Sequence, residues 1–452
     1  MESLHQKFKR FEEALYKINF MSGLGVVIDD GLKLFHAFYR EYVTMRLEEI
    51  DEIFKENPSI RKQYSVQKKG QERSLLTKIG EIRYKRRYYR DRRGGYSYLV
   101  DRAVGIDRYE RIERSLGAAL SESSGMESYA KASKRCCGGS LSRTSVMRVT
   151  RRAHEESIGY PEKPAELPEI HLQCDEDHVS MQDGKTRIVK VCTIHGTRKK
   201  GPIKGRYYLP YRYSLTSQTT ESNEDFWDRI GAELEGRYKC ARGGKVYIHG
   251  DGAGWIKAGV EAIAGSRYVL DRFHLIKAMK PVSGGNKDYY GKLLSVLKMG
   301  KPELMESMVK ACIDEEVCDR ETGETFLSYY WSNVSGITIW NEIGFERSSS
   351  CAEGLVSHLL SERLSSRPKG WGEVGLDTIS RIRIHLENGG RINAEAMRKK
   401  EEKNPITKKA KQTIQRKMSP YLPMPTTVLQ DLHHQSARWR LFESLKEAGM
   451  AF

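Results

Sequence analysis

Lys245-Val-Tyr-Ile-His-Gly-Asp-Gly-Ala-Gly-Trp-Ile-Lys257, followed by Tyr268-Val-Leu-Asp-Arg-Phe-His274, reads as a strand, a glycine-flanked carboxylate, a short helix and a second strand. Val246 and Ile248 alternate with Tyr247 and His249, which is the two-residue period of a strand. Asp251 falls where that strand runs out, and Gly250, Gly252 and Gly254 remove side-chain bulk around it. Reactive groups collect at the carboxyl ends of strands in open α/β sheets. Asp251 is therefore a candidate metal ligand or catalytic residue, against the competing reading of a carboxylate that caps the helix beginning near Ala253.

Upstream, a proline-rich joint at Tyr160–Pro168 marks a domain boundary. In Glu169-Ile-His-Leu-Gln-Cys-Asp-Glu-Asp-His-Val that follows, Ile170, Leu172 and Cys174 alternate with His171, Gln173 and Asp175, so this strand delivers Asp175 and Asp177 onto one face. Lys185–Gly196 gives a second strand and Arg206–Leu215 a third, while Asn223–Gly236 carries Phe226, Ile230 and Leu234 at helical spacing. Three hairpin-linked strands, a helix, a strand, a helix and a last strand match the ribonuclease-H-like order. This is an α/β class with a mixed five-stranded sheet and flanking helices, in which acids on the first strand and at the end of the fourth come together.

Downstream of His274 about seventy residues read as helical and charged, and predict an all-α insertion. In Ser348–Trp371 beyond it, Ala352, Leu355, Val356, Leu359 and Leu360 form a buried helical stripe with Glu353 in its first turn. An acid at that place also serves the helix dipole.

The 452 residues carry 77 Lys and Arg against 60 Asp and Glu, a net charge of +17. Clustered basic residues point to nucleic acid. One cluster, Tyr84–Arg93, interleaves Tyr84, Tyr88 and Tyr89 with Arg86 and Arg87 on a hairpin strand turning at Gly94-Gly95, which suits phosphate contact and base stacking. A second lies at Arg398-Lys-Lys400. Ser128–Cys136 and Ser142–Arg152 read as two helices around a Cys137–Ser142 turn, the spacing of a helix-turn-helix whose second helix would present Arg143, Thr144, Arg148, Arg151 and Arg152 to DNA. The apolar steps Phe8, Phe11, Leu15, Ile18 and Leu34, Phe35, Phe38, Tyr42 predict N-terminal helices, with a polar linker or exposed turn between Asn57 and Leu75. Eight cysteines without a Cys-x-x-Cys pair argue against a zinc ribbon or disulfide framework. No apolar run of membrane-spanning length and no signal-peptide core is found, so a cytoplasmic protein is expected.

Three carboxylates sharing one site need cations, because two unit charges about 4 Å apart repel by roughly 4 kcal/mol at an effective dielectric near 20. Oxygen-only ligands suit Mg²⁺ or Mn²⁺, and two such ions support phosphoryl transfer on DNA. The stretches Cys-Asp-Glu-Asp-His-Val, Tyr-Ile-His-Gly-Asp-Gly-Ala-Gly-Trp-Ile, Leu-Asp-Arg-Phe-His and Ser-Ser-Arg-Pro-Lys-Gly-Trp resemble those of bacterial insertion-sequence transposases of the Asp-Asp-Glu type, in the Mutator-like group and nearest the ISLre-type family. The resemblance runs from about Gly80 to Gly390. It implies a ribonuclease-H-like core interrupted by a helical insertion, two Mg²⁺ or Mn²⁺ ions, and a homo-oligomeric complex that cuts element ends and joins them to target DNA. Asp175, Asp251 and Glu353 then take the catalytic, metal-binding places, with Asp177 as the alternative first ligand. Asp271 and His274 match a recurrent Asp-x-x-His element and are expected to buttress the site. Ser365, Ser366, Arg367 and Lys369 are candidate phosphate contacts, and Trp371 is expected to pack.

The resulting division is a helical N-terminal region (1–75), a DNA-binding region (76–160), a first core segment (168–275), the insertion (276–345), a last core segment bearing Glu353 (346–391) and a basic tail (392–452). A structure-selective nuclease on the same core and a non-enzymatic DNA-binding regulator are the competing readings.

Overall fold

The computed structural model describes residues 4–154, 157–203, 206–344, 350–367, 370–397 and 412. Lys369, the basic run Arg398–Lys400 and the rest of the tail beyond Met397, Gln412 apart, lie outside the described residues. The chain divides into two compact units, Met1–Leu120 with Ala130–Val146 and Asn393–Phe452, and Ser121–Tyr129 with Met147–Ile392.

In the first unit the expected N-terminal helices form as Leu4–Tyr16 and Leu24–Glu56 and pack on each other, the Phe11 and Phe38 rings stacking at 4.9 Å. The polar stretch after Asn57 is not a linker. It forms a short helix, Pro58–Gln63, and then β1 (Tyr64–Thr77), which pairs antiparallel with β2 (Gly80–Asp91), itself paired with β3 (Tyr96–Ser97). Only the two ends of β1, Tyr64 and the stretch near Leu75, reach the core made by Leu47, Ile50, Phe54, Ile82, Tyr84 and Tyr89, so the exposed middle of this strand carries no apolar alternation. The helices Tyr129–Cys137 and Arg143–Thr150 form as expected around Gly138 and Gly139, both at positive φ, and Ser142 Oγ accepts from Ser145 N at 3.2 Å.

The second unit is built on a five-stranded mixed sheet. Its strands are β4 (Ala165–Ser180), β5 (Thr186–Gly196), β8 (Tyr213–Thr216), β9 (Tyr238–Gly250) and β10 (Ser266–Leu270), while β6 (Lys199–Lys200) and β7 (Tyr207–Tyr208) pair as a separate ribbon. Across the sheet the order is β10-β9-β4-β5-β8, with β5 and β8 antiparallel in turn and β9 and β10 parallel to β4. The third expected strand is therefore split. Pro210, which has no N–H to give a ladder, and Tyr211 at φ 56 break it between β7 and β8.

The two faces of β4 meet different partners, as its period of two requires. Ile170, Leu172 and Cys174 enter a core with Phe226, Trp227 and Ile230 of helix Asn223–Arg237 and Trp255 and Ile256 of helix Gly254–Ala262. Helices between Arg272 and Ile343, among them Arg272–Val282 and Arg320–Ser332, contribute Leu275, Met279, Phe326 and Tyr330 to that same core. On the opposite face Leu355, Val356, Leu359 and Leu360 pack with Val179, Val189 and Val191. Trp371 is buried here too, its Nε1 donating to Leu364 O at 2.9 Å, as expected of a packing residue.

Gly259 faces the Trp227 indole, which is pinned by donating to Trp255 O at 2.7 Å, and a Cβ there would overlap the ring. Gly259→Ala is expected to cost about 1–2 kcal/mol in urea unfolding, overpacking outweighing the gain in helix propensity. An unchanged or raised midpoint would contradict this packing.

None of the eight cysteines is paired in a disulfide. Among the described residues no helix is long and apolar enough to cross a membrane.

Candidate active site

Three parallel strands set the level of the acids. In the β4–β9 ladder Gln173 pairs with His249, and in β9–β10 Gly250 pairs with Leu270. Two residues beyond the first pair lie Asp175 and Asp251, on one face and on adjacent strands spaced about 4.8 Å. Asp271 joins the same row, its N–H donating to Gly250 O at 2.7 Å. The expectation that Asp271 stands beside Asp251 holds.

Asp251 does not cap the following helix. Its Oδ1 accepts from Ala253 N at 2.9 Å and its carbonyl accepts from the Tyr329 hydroxyl at 2.7 Å, so side chain and backbone are both held. The flanking glycines answer to packing as well as to access. A Cβ at Gly250 would strike Ile256, and Gly252 sits at φ +102 against the Asn333 side chain. Gly254 alone of the three borders open space.

Burial pushes the Asp175 carboxyl up to about 6, opposed by the Glu176 N–H and by His274 and reinforced by the charges of Asp251 and Asp271. Asp271 is buried and likewise raised, by burial first. The Phe273 N–H, His274 and the Ser350 N–H oppose that shift, and the Glu353 charge adds to it. Glu353 itself is exposed on the short helix Ala352–Val356. Asp175, Asp251, Asp271, His274 and Glu353 thus form one electrostatic group, drawn from segments far apart in sequence. His274 Nε2 lies 3.7 Å from Asp271 Oδ2.

Asp177, the alternative first ligand, lies one pleat further along β4. It is buried, accepts from Ser365 Oγ at 2.7 Å, and its Oδ2 has no hydrogen-bond partner among the described residues. Its level on the strand separates it from Asp251, whereas Asp175 shares that level. Ser365 is thereby committed inside the fold, Ser366 Oγ donates to Glu362 O at 2.8 Å, and Arg367 is exposed.

Sequence reasoning missed Gln173. Its Oε1 accepts from Ser350 Oγ at 2.6 Å and from Cys351 N at 3.4 Å, while Ser350 N donates to Asp271 Oδ1 at 3.3 Å. Together Gln173 and Asp271 latch the start of the Glu353 helix onto the strand ends. The available signal was that Gln173 shares the face of Asp175, two residues away. Behind it His171, His195 and His249 are buried in ring contact, His171 Nδ1 lying 3.0 Å from His249 Nε2. Burial holds His195 down to about 4 and His249 well below its ordinary value.

The acids are hard oxygen donors, Asp175 and Asp271 being raised by burial first and by neighbouring negative charge second, and the chemistry of this donor set fits a divalent cation such as Mg²⁺ or Mn²⁺. As they stand, no three His, Cys, Asp or Glu side chains among the described residues converge tightly enough to hold an ion.

The expected DNA contacts divide. Arg143, Thr144, Arg148, Arg151 and Arg152 are all exposed. Arg86 and Arg87 correct the sequence reading. Arg86 is buried, ion-paired with Asp101 and stacked 3.5 Å from the Tyr98 ring centre. Arg87 pairs with Asp51 at 2.7 Å and with Glu52, so both guanidinium groups satisfy carboxylates of their own unit.

Residues 28–401 match the Uncharacterised protein family (UPF0236). Relatives bearing that family name occur in Caldanaerobacter subterraneus subsp. tengcongensis. One is 34% identical over 362 residues, covering 78% of this chain and 76% of the relative. A second is 35% identical over 355 residues, covering 76% and 73%, and a third is 34% identical over 362 residues, covering 78% and 75%. The chain belongs to the uncharacterised protein family UPF0236.

Proposed function

We propose that this protein is a DNA transposase of the Asp-Asp-Glu type, resembling the ISLre-type insertion-sequence enzymes, and that its second unit is a ribonuclease-H-like core with a helical insertion before the last catalytic acid. The observation that carries the reading is the electrostatic group at the strand ends, where Asp175, Asp251 and Asp271 stand in a row and Glu353 couples to Asp271. Numbering the sheet strands by their order in the chain, their spatial order is 3-2-1-4-5 with the second strand antiparallel, which supports the fold reading.

In this reading Asp175, Asp251 and Glu353 hold the cations, Asp271 and His274 orient them, and Gln173 holds the helix that brings Glu353. Two Mg²⁺ or Mn²⁺ ions, when bound, would activate a water or a 3′-hydroxyl and stabilise the leaving oxygen of a phosphodiester. Ala253 N and the Tyr329 hydroxyl fix Asp251 so that its free oxygen keeps one direction. The exposed Arg143, Thr144, Arg148, Arg151 and Arg152 contact double-stranded DNA, with Arg367 near the Glu353 segment. A further support comes from the relatives. The name of one joins eleven locus designations in a single organism, the distribution that a self-copying element leaves.

The test is an assay on duplexes that carry the DNA flanking its own gene, one set intact and one pre-cut to expose a 3′-hydroxyl, with a supercoiled plasmid as target. Mg²⁺-dependent joined product is expected from the pre-cut set. Cleavage without joining would leave only a nuclease, and neither product would reject the reading. Gln173→Ala should lower joining about tenfold or more through a displaced Glu353 helix, with DNA affinity retained. Full activity in that variant would reject the latch.

A further inference from the structure

Beside the acids runs a groove of about 780 Å³ that shares Asp251, His274 and Tyr329 with the chemistry above and is otherwise unused by it. One wall is the face His274, Lys277, Ala278, Pro281 of helix Arg272–Val282, and the other is Thr322, Thr325, Phe326, Tyr329 of helix Arg320–Ser332. Asp251 closes one end, next to His274 and Tyr329, and Asp319 and Glu321 stand at the other. Seven residues of helix give the groove a length of about 10 Å, the reach of a single nucleotide.

We infer that this groove receives one unpaired nucleobase of the DNA strand being cut, next to the phosphate held at Asp251. The inference rests on the transposase reading and names a binding site for it. The lining selects among DNA parts. Its size is that of a small-ligand pocket, too small for a duplex or a helix of a partner protein. Asp251, Asp319 and Glu321 outnumber Lys277 and His274, so a phosphate is repelled along most of its length, whereas a neutral base is not. Phe326, buried in the floor, with Ala278, Pro281 and the Tyr329 ring, offers apolar surface to the face of a base. Glu321, Thr322 and Thr325 on one side and Lys277 on the other offer acceptors and donors to its edge. Glu321 and Lys277 lie exposed at the rim, so the groove is open to solvent along that edge. The Tyr329 hydroxyl is committed to the Asp251 carbonyl, so a base lying on that ring touches the residue that orients the catalytic acid. Extruding a base costs least where it is already unpaired, which places the bound nucleotide at a melted or cut end.

The probes are three duplexes of one sequence: blunt, with a single unpaired terminal 2-aminopurine, and with an abasic residue in its place. The full-length protein should bind the 2-aminopurine duplex about tenfold more tightly than the abasic one, with a change in the fluorescence of the base. Thr325→Trp, which fills the groove from its rim, should abolish that preference. Equal affinity for base and abasic ends, or a preference that survives Thr325→Trp in a protein with the wild-type melting curve, overturns the inference. Should that variant not fold, a 5-iodouracil at the unpaired position of the wild-type complex decides the matter. Crosslinking to Phe326 or Tyr329 is expected, and crosslinking only elsewhere overturns the site. Intact joining without a base preference removes this site alone. Absence of both DNA binding and cleavage removes the transposase reading with it.

Discussion

Asp251→Asn should leave DNA affinity unchanged and lower Mg²⁺-dependent cleavage and joining by about a thousandfold or more. The amide is isosteric and keeps an oxygen to accept from Ala253 N, so the loop after β9 has no reason to move. What is lost is a negative charge toward the cations, and a loss of roughly 4 kcal/mol of transition-state stabilisation corresponds to about three decades in rate. The experiment is a nicking and joining time course beside a binding titration at one salt concentration, since affinity for DNA falls steeply with salt. Unchanged turnover would contradict the proposed site, and unchanged biological effect without any turnover would favour a DNA-binding regulator.

Asp175→Asn carries the second large effect, and its sign is opposite for stability and for activity. Burial, with Asp251 and Asp271 adding to it, raises the folded Asp175 carboxyl from 3.8 to about 6. Between those values the folded protein binds more protons than the unfolded chain, so stability falls as pH rises through this window and the loss is complete above it. Removing the charge should therefore stabilise the metal-free protein at pH 8 by on the order of 2 kcal/mol, and the gain should close as pH approaches 4. The buried His195 and His249 act the other way on acidification, since their depressed values cost stability as pH falls below the ordinary histidine range. They do so equally in both proteins, and the comparison cancels them. Mg²⁺ should raise the melting temperature of the wild type and not that of the variant, while activity is lost in the variant. A variant less stable than wild type at pH 8 in the presence of a chelator would show that Asp175 is not under electrostatic strain.

Much of the second unit was legible because its signals are local. The alternation at Val246–His249, the carboxylate at the strand end and the helical spacing of Phe226, Ile230 and Leu234 all lie within a dozen residues of what they predict, and β9, helix Asn223–Arg237 and β10 follow. Features that depend on distant partners were not legible. Most of β1 is exposed on both faces, so nothing in its own pattern marks it as a strand. Arg86 and Arg87 alternate with tyrosines as a DNA-facing strand would, but Asp51, Glu52 and Asp101, which consume them, belong to other elements. Gln173 shows its role only once Ser350 and Cys351, some 177 residues later, are folded against it. The levels of Asp175 and Asp177 along the sheet were likewise a matter of register: the pairing of Gln173 with His249 puts Asp175 at the level of Asp251 and Asp177 one pleat beyond it.

The most direct test is anomalous scattering from crystals of the full-length protein grown in saturating Mn²⁺. Two peaks about 3.5–4 Å apart, held between Asp175, Asp251 and Glu353, are expected. Well-ordered crystals with manganese bound elsewhere and none at Asp251 would contradict the account.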